Sequence, residues 1–278
     1  MEKGNLGLIG AGSIAEALLK GMLSCGVYMP GEIFVINRKN DERLRHFAEK
    51  YGVNTTRDYR EVVSKCTTLV IAVKPKDVNQ LLLTIREYVT ADHVLISVAA
   101  GISTAFIESR LGGRVQVIRA MPNTSCQVKE SATAVARGRY AGPGALEVAD
   151  GIFSSVGKVI HVEEEALDAV TGLSGSGPAY VYLMMEAMIE AGIKAGLERE
   201  ISEKLAIQTV FGAAKMALET GEAPGHLRKK VTSPGGTTMA GIETLESLGF
   251  TNSIIEAIKK AAARSRELMM ETSLMAGK

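Results

Sequence analysis

Neither sign of charge dominates this 278-residue chain: 32 basic residues stand against 31 acidic ones, interspersed, for a formal charge of +1. This balance excludes the electrostatic footprint of a nucleic-acid or membrane-surface protein and points to a small partner. Cysteine is scarce as well. Cys25, Cys66 and Cys126 are odd in number and lack the short paired spacing of a zinc site or a redox couple, so all three read as structural thiols in a reducing compartment. Long apolar runs are missing: "AYVYLMMEAMI" is broken by Glu186 well short of a bilayer's thickness, and "MEKGNLGLIGAG" lacks the layout of a signal peptide. The expectation is a soluble, cytoplasmic protein with no metal site. Its length allows one large or two medium domains around a real core.

What is present is an alternation. The short apolar runs "LGLIG", "EIFVIN", "TTLVIAV", "HVLISVA" and "VQVIRAM" are each separated by a helical pattern, which predicts a parallel, doubly wound sheet with helices on both faces. "SATAVARG" and "GKVIHV" extend the sheet, with a helix over roughly residues 143 to 155 between them. Beyond Glu163 the strand signal stops. "AYVYLMMEAMIEAGIKAG", "SEKLAIQTVFGAAKMALET", "TTMAGIETLESLG" and "TNSIIEAIKKAAARSRELMMET" carry apolar residues at helical spacing, so an α/β domain over 1–163 is expected to precede an all-helical domain over 164–278. The helices of the second half are rich in Ala, Gly and Met and apolar over much of their circumference, which fits a dimer interface between helical domains.

The first strand runs into "GAGSIA", in which Gly10, Gly12 and Ala15 form G-x-G-x-x-A between a strand and a helix. The first glycine permits the tight turn, the second lets backbone approach a pyrophosphate, and the alanine lets the helix lie close to the strand. Gly10, Ala11, Gly12, Ser13 and Ile14 are therefore candidate dinucleotide ligands. The second strand ends in Asn37, Arg38 and Lys39, where an NAD-binding protein usually places a carboxylate for the ribose 2′-hydroxyl. Two cations and an amide suit a 2′-phosphate, so NADPH is expected over NADH, although NADH use remains open; a solvated basic loop has the same composition. Ala72, Val73, Lys74 and Pro75, then Ala99, then Met121, Pro122 and Asn123 follow later strands at the edge where ligands of such sheets bind, and are further cofactor candidates. Pro75 suggests that Lys74 shapes backbone there more than it catalyses.

"VTSPGGTTMAGIETLE", residues 231–246, places Ser233, a Pro-Gly-Gly turn and two threonines in front of a helix. Bare N–H groups at a helix N-terminus suit an anion; an ordinary interhelical turn with a threonine cap would look the same. His46, His93, His161 and His226 lie far apart on different expected elements and read as packing or surface residues.

With "GAGSIAEAL", "AVKP", "AMPNT", "GSGPAY" and "SPGGTT" in this order, the sequence closely resembles the pyrroline-5-carboxylate reductases over nearly its whole length. The resemblance implies a Rossmann-type domain followed by an all-helical dimerisation domain. It implies NAD(P)H-dependent reduction of 1-pyrroline-5-carboxylate to L-proline, the last step of proline biosynthesis, in a homodimer or a higher homo-oligomer. By position, Ser233, Gly235, Gly236 and Thr237 would hold the substrate carboxylate and Thr238 would hydrogen-bond the ring nitrogen, with Ser176 and Gly177 as secondary substrate contacts. A 2-hydroxyacid dehydrogenase of similar build needs an acid–base residue; in "GLSGSGPAYV" the position of that family's lysine is Val181. A cyclic imine protonated at nitrogen is already electrophilic and needs none. A different imine or hydroxyacid oxidoreductase on the same framework, or a dinucleotide-binding sensor without turnover, are the competing readings.

Overall fold

The computed structural model describes residues 4–276, with side chains to Glu271; the ends of the expected domains, residues 1–3 and 277–278, lie outside the described residues. Two compact units emerge. One comprises the chain up to Ser176 together with the residues from Lys259 onward, and the other is Gly177–Ile258.

In the first unit eight strands form one sheet. In chain order they are β1 (Asn5–Ile9), β2 (Ile33–Ile36), β3 (Asn54–Thr56), β4 (Cys66–Ile71), β5 (Val94–Ser97), β6 (Gln116–Met121), β7 (Ser131–Arg137) and β8 (Gly157–His161), and in space they run β3-β2-β1-β4-β5-β6-β7-β8. The helices of this unit that cover the sheet are α1 (Ser13–Ser24), α2 (Asp41–Tyr51), α3 (Tyr59–Lys65), α4 (Pro75–Ile85), α5 (Thr104–Leu111) and α6 (Pro143–Ser154).

The period of two in each strand sorts its side chains into two cores. Leu6 and Leu8 of β1, Val35 of β2 and Ile96 of β5 join Leu18, Met22, Phe47 and Phe153 from α1, α2 and α6. Ile9, Ile36 and Leu95 of the same strands face the other way and join Val62, Val78, Leu82 and Ile107 from α3, α4 and α5. Strands apolar on both faces are what a sheet covered by helices on both sides requires. Each fully buried aliphatic or aromatic side chain contributes about 1.5–3 kcal/mol, so the two cores together anchor the sheet's position relative to its loops.

Two features depart from the sequence reading. The sheet is not wholly parallel: β7 runs antiparallel to β6, while β8 pairs parallel with β7. The connection from Met121 to Ser131 holds only a short 3₁₀ turn, Thr124–Val128, and a parallel return needs a crossover of about a dozen residues or more. The three-residue edge strand β3, paired with β2 alone, is the second.

Helix signals act locally. The Asn40 side chain accepts from Arg43 N at 2.9 Å to start α2, and the Ser103 hydroxyl accepts from Phe106 N at 3.1 Å to start α5.

After α7 (Leu167–Val170) and a wide π-type turn at Thr171–Gly175, the helices α8 (Gly177–Lys194), α9 (Arg199–Thr220), α10 (Pro224–Lys230) and α11 (Thr237–Ser247) make up most of the second unit. The last helix, α12 (Phe250–Ala276), belongs to the second unit up to Ile258 and to the first from Lys259. In the first unit it is pinned by the buried Ser265 hydroxyl, which donates to Asp168 at 2.7 Å. The second unit leaves large apolar side chains in water: Leu183, Leu205, Phe211, Leu218 and Leu248 are each more than half exposed. A surface of this kind marks an interaction face. No helix among the described residues is long and apolar enough to cross a membrane.

Candidate functional site

From β1 the chain moves one way to β2 and β3, then crosses to the other side for β4. Such a reversal leaves a crevice beyond the carboxyl ends of β1 and β4. Three loops meet there and are tied by backbone bonds: Gly10 N donates to Ile36 O, and Ala72 N to Ile9 O, both at 2.9 Å. Together they line a cleft of about 440 Å³.

Gly10, Ala11 and Gly12 form one wall, and the two glycines differ in what demands them. Gly10 has φ +115°, and a β-carbon on it would lie 2.5 Å from the Ala72 carbonyl oxygen, so the protein itself requires glycine there. Gly12, the N-cap of α1, has φ −80°, and an added β-carbon would meet nothing within 4 Å among the described residues. No described atom demands a glycine at this position; the open space in front of it fits a ligand whose pyrophosphate approaches the backbone at the α1 N-terminus.

Asn37, Arg38 and Lys39 form the second wall. The Asn37 side-chain Oδ1 accepts from Lys39 N at 3.1 Å and Asn40 N at 3.2 Å, so this side chain shapes the loop. Arg38 and Lys39 are exposed. The neighbouring carboxylate Asp41 is occupied by Arg57, and among the described residues no ion pair holds Arg38 or Lys39. Two uncompensated cations at the rim fit the 2′-phosphate of NADPH. Ala72, Val73 and Lys74 form the third wall, and Pro75 opens α4 just behind them.

Sequence reasoning missed the far wall: Tyr59 from the start of α3, and Asp77, Gln80, Leu81 and Thr84 along one face of α4. Burial pushes the Tyr59 hydroxyl's pKa up, with Arg38 opposing and Asp77 adding to the rise. The residues at 77, 80, 81 and 84 follow helical spacing, the one signal that could have found them once α4 was placed.

Behind the glycine loop, Glu16 in the first turn of α1 is surrounded by α2. Its carboxylate accepts from Arg43 at 2.7 Å, lies 2.9 Å from His46 Nε2, and accepts from the Tyr51 hydroxyl at 2.7 Å. Burial raises the Glu16 carboxyl, but the bonds from His46, Tyr51 and Arg43 outweigh it and hold its pKa at about 2. Burial and the same carboxylate push the Tyr51 phenol upward.

Other candidates lie elsewhere. Ser13 is exposed on the first turn of α1 and Ile14 half-buried beside it; neither lines the cleft. Ala99 follows β5, Met121 ends β6 and Pro122 and Asn123 follow it; none of the four lines the cleft. Asn123 is buried and committed to structure, its Nδ2 donating to Ser174 O at 3.0 Å and its Oδ1 accepting from Ser125 N at 3.0 Å. Ser176 ends the first segment of the first unit and Gly177 begins α8.

In the second unit, the Gly236 N–H donates to Ser233 O at 3.0 Å to close the turn, and Gly235 takes φ +69°. Gly236 caps α11, so Thr237 and Thr238 occupy its first positions, where backbone N–H groups lack helical partners. Ser233 and Thr238 are exposed. A small carboxylate could be held by such donors without steric obstruction.

The histidines have local partners. His46 faces Glu16, His93 Nε2 lies 3.0 Å from Val63 O, and His161 and His226 pair with Asp150 and Glu222 at 2.7 and 2.8 Å. Cys66 and Cys126 are buried and Cys25 exposed, all three free; burial pushes the Cys66 thiol up to about 12.

Residues 164–268 match the family described as pyrroline-5-carboxylate reductase dimerisation, and residues 5–101 match that described as NADP oxidoreductase, coenzyme F420-dependent. The chain is 42% identical over 263 residues to pyrroline-5-carboxylate reductase 2 of Bacillus subtilis (strain 168), covering 95% of this chain and 94% of that protein. Its fold is similar to the structure of a pyrroline-5-carboxylate reductase from Coxiella burnetii, with a TM-score of 0.91 at 39% identity over 96% of this chain and 99% of the other. The Plasmodium falciparum pyrroline carboxylate reductase with NADP bound superposes with a TM-score of 0.86 at 29% identity, over 97% and 99% of the two chains.

Proposed function

Because the chain belongs to the pyrroline-5-carboxylate reductases, we propose that it reduces 1-pyrroline-5-carboxylate to L-proline with NADPH, completing proline biosynthesis. The observation that carries this reading is the conjunction of relatedness along 95% of the chain with a switch-point cleft lined by Arg38 and Lys39, which form no ion pair among the described residues. NADPH, when bound, supplies the hydride. One proton and one hydride add across the C=N bond, giving proline and NADP⁺.

The rest falls to the chain's own groups. Backbone N–H groups of Gly12 and the first turn of α1 face the pyrophosphate, and Arg38 and Lys39 hold the 2′-phosphate. Ala72 to Pro75 shape the wall of the cleft, and Ala99, Met121, Pro122 and Asn123 extend the ligand-facing edge of the sheet. The backbone and hydroxyls of Ser233, Gly235, Gly236 and Thr237 hold the substrate carboxylate, with Ser176 and Gly177 as further substrate contacts. The Thr238 hydroxyl hydrogen-bonds the ring nitrogen, which carries the proton that makes the imine electrophilic. The chemical step then depends on orientation rather than on a strong acid.

We further propose that residues 1–163 serve the dinucleotide and 164–278 serve substrate and association, a division supported by a dimerisation-family match that begins at residue 164. The exposed apolar helices of the second unit support a homodimer formed through them. Free thiols on all three cysteines support a cytoplasmic location.

The test is consumption of reduced nicotinamide by purified protein with 1-pyrroline-5-carboxylate, followed by identification of proline. Turnover with NADPH favoured over NADH supports the reading. Protein that binds NADPH but turns over no imino acid would instead be a sensor.

A further inference from the structure

We propose that Arg43 is a positioning residue for the dinucleotide loop: one guanidinium holds the Ala11 carbonyl and the Glu16 carboxylate together, fixing the peptide that presents the Gly12 N–H. The inference rests on the reading of the cleft as the NADPH site and adds a residue that does not line that cleft.

The geometry is a two-point hold. Arg43 Nε donates to Ala11 O at 3.0 Å, and its NH2 nitrogen donates to Glu16 Oε2 at 2.7 Å. Ala11 belongs to the loop before α1 and Glu16 to that helix's first turn, so a single planar group spans loop and helix from α2. The guanidinium is itself constrained, lying 5.1 Å from the centroid of the fully buried Phe47 ring. An arginine whose fork matches two acceptors keeps its orientation; a lysine ammonium has no such fork.

Two consequences follow for the cofactor. The peptide bond is planar and trans, so the Ala11 carbonyl and the Gly12 N–H point in opposite directions. Anchoring the oxygen toward α2 turns the N–H away from α2. The second consequence is electrostatic. Glu16 places a carboxylate in the first turn of the helix whose N-terminus must face a pyrophosphate, an arrangement that repels the ligand unless the charge is offset. Arg43, with Lys50 at 3.9 Å, provides that offset.

The experiment measures equilibrium binding of NADPH and of NADH to full-length wild type, Arg43→Met, Arg43→Lys and His46→Ala, with steady-state kinetics and melting temperature for each. His46 bonds Glu16 but not the loop, so it controls for loss of the cluster alone. In Arg43→Met both cofactors should bind about tenfold more weakly, by the same factor, because the loop serves the pyrophosphate they share. KM for the reduced nicotinamide should rise accordingly while kcat at saturation and KM for the imino acid stay within about twofold. Arg43→Lys should remain weakened several-fold, and His46→Ala should bind like wild type even if it melts earlier.

Unchanged binding in Arg43→Met overturns the proposal. Loss confined to NADPH overturns it too, since that marks a direct contact with the 2′-phosphate. Full recovery in Arg43→Lys assigns the effect to charge and removes the two-point hold. If wild type binds neither cofactor, the reading of the cleft itself fails, an outcome separate from all of these.

Discussion

A β-carbon on Gly10 would lie 2.5 Å from the carbonyl oxygen of Ala72, the residue that follows β4. Two loops from neighbouring strands therefore meet at a contact that only glycine permits. Gly10→Ala combines that overlap with a strained φ of +115° and should cost at least about 2 kcal/mol, visible as a lower melting temperature. A β-carbon at Gly12 meets no atom within 4 Å among the described residues. The melting temperature of Gly12→Ala without cofactor should match wild type while NADPH affinity falls by about tenfold or more. Equal melting temperatures for both variants would contradict the different roles assigned to the two glycines.

On the proposed reading, Arg38 sets cofactor choice. Charge-assisted bonds to a phosphate are worth about 1.5–3 kcal/mol, so Arg38→Ala should lower the NADPH-to-NADH ratio of kcat/KM by roughly tenfold or more. The comparison is decisive only as a ratio: equal losses with both cofactors would mean that Arg38 does not read the 2′-phosphate.

Acid should unfold the protein partly through Glu16. Its pKa is about 2 in the folded chain against an ordinary 4.5, so the folded state favours the charged form. This contribution is complete above about pH 4.5 and is lost as pH falls from there toward 2; over that window it amounts to roughly 3 kcal/mol. Urea unfolding at a series of pH values should show Glu16→Gln less stable than wild type at pH 7, with the gap narrowing below pH 4.5. A gap independent of pH would detach the effect from ionisation.

The two hydroxyls of the second unit should separate in kinetics. Ser233→Ala should raise KM for 1-pyrroline-5-carboxylate by about tenfold with kcat largely kept, as expected for a group that holds the carboxylate throughout. Thr238→Ala should lower kcat by roughly tenfold, as expected for a partner of the nitrogen at which the bond order changes. If both variants kept wild-type kcat and KM, the substrate assignment would be wrong.

The parts of the fold that could be read from the sequence were those set by local periodicity. β1, β2, β4, β5 and β6 are short apolar runs whose alternate side chains enter opposite cores, and the glycine pattern after β1 falls at the switch point. β3 escaped because three residues with little burial form a strand only by pairing with β2. The reversed direction of β7 escaped because apolar alternation does not encode strand polarity; the shortness of the connection after β6 does. At the site, the cleft walls built from consecutive residues, such as Asn37 to Lys39, were readable, whereas Tyr59 and the inner face of α4 depend on helix packing. The Arg43 contact with Glu16 joins residues 27 apart in sequence, and a polar pair at that separation leaves no local pattern.

The most direct test of the central claim follows the hydride itself. Protein is incubated with 1-pyrroline-5-carboxylate and NADPH carrying deuterium at both positions of nicotinamide C4, and the amino acid formed is analysed by mass spectrometry. The account predicts proline with one deuterium on the ring carbon that was the imine carbon, and no label there when unlabelled NADPH is used in deuterated water. Unlabelled proline from the deuterated cofactor, or cofactor oxidation without proline, would contradict it.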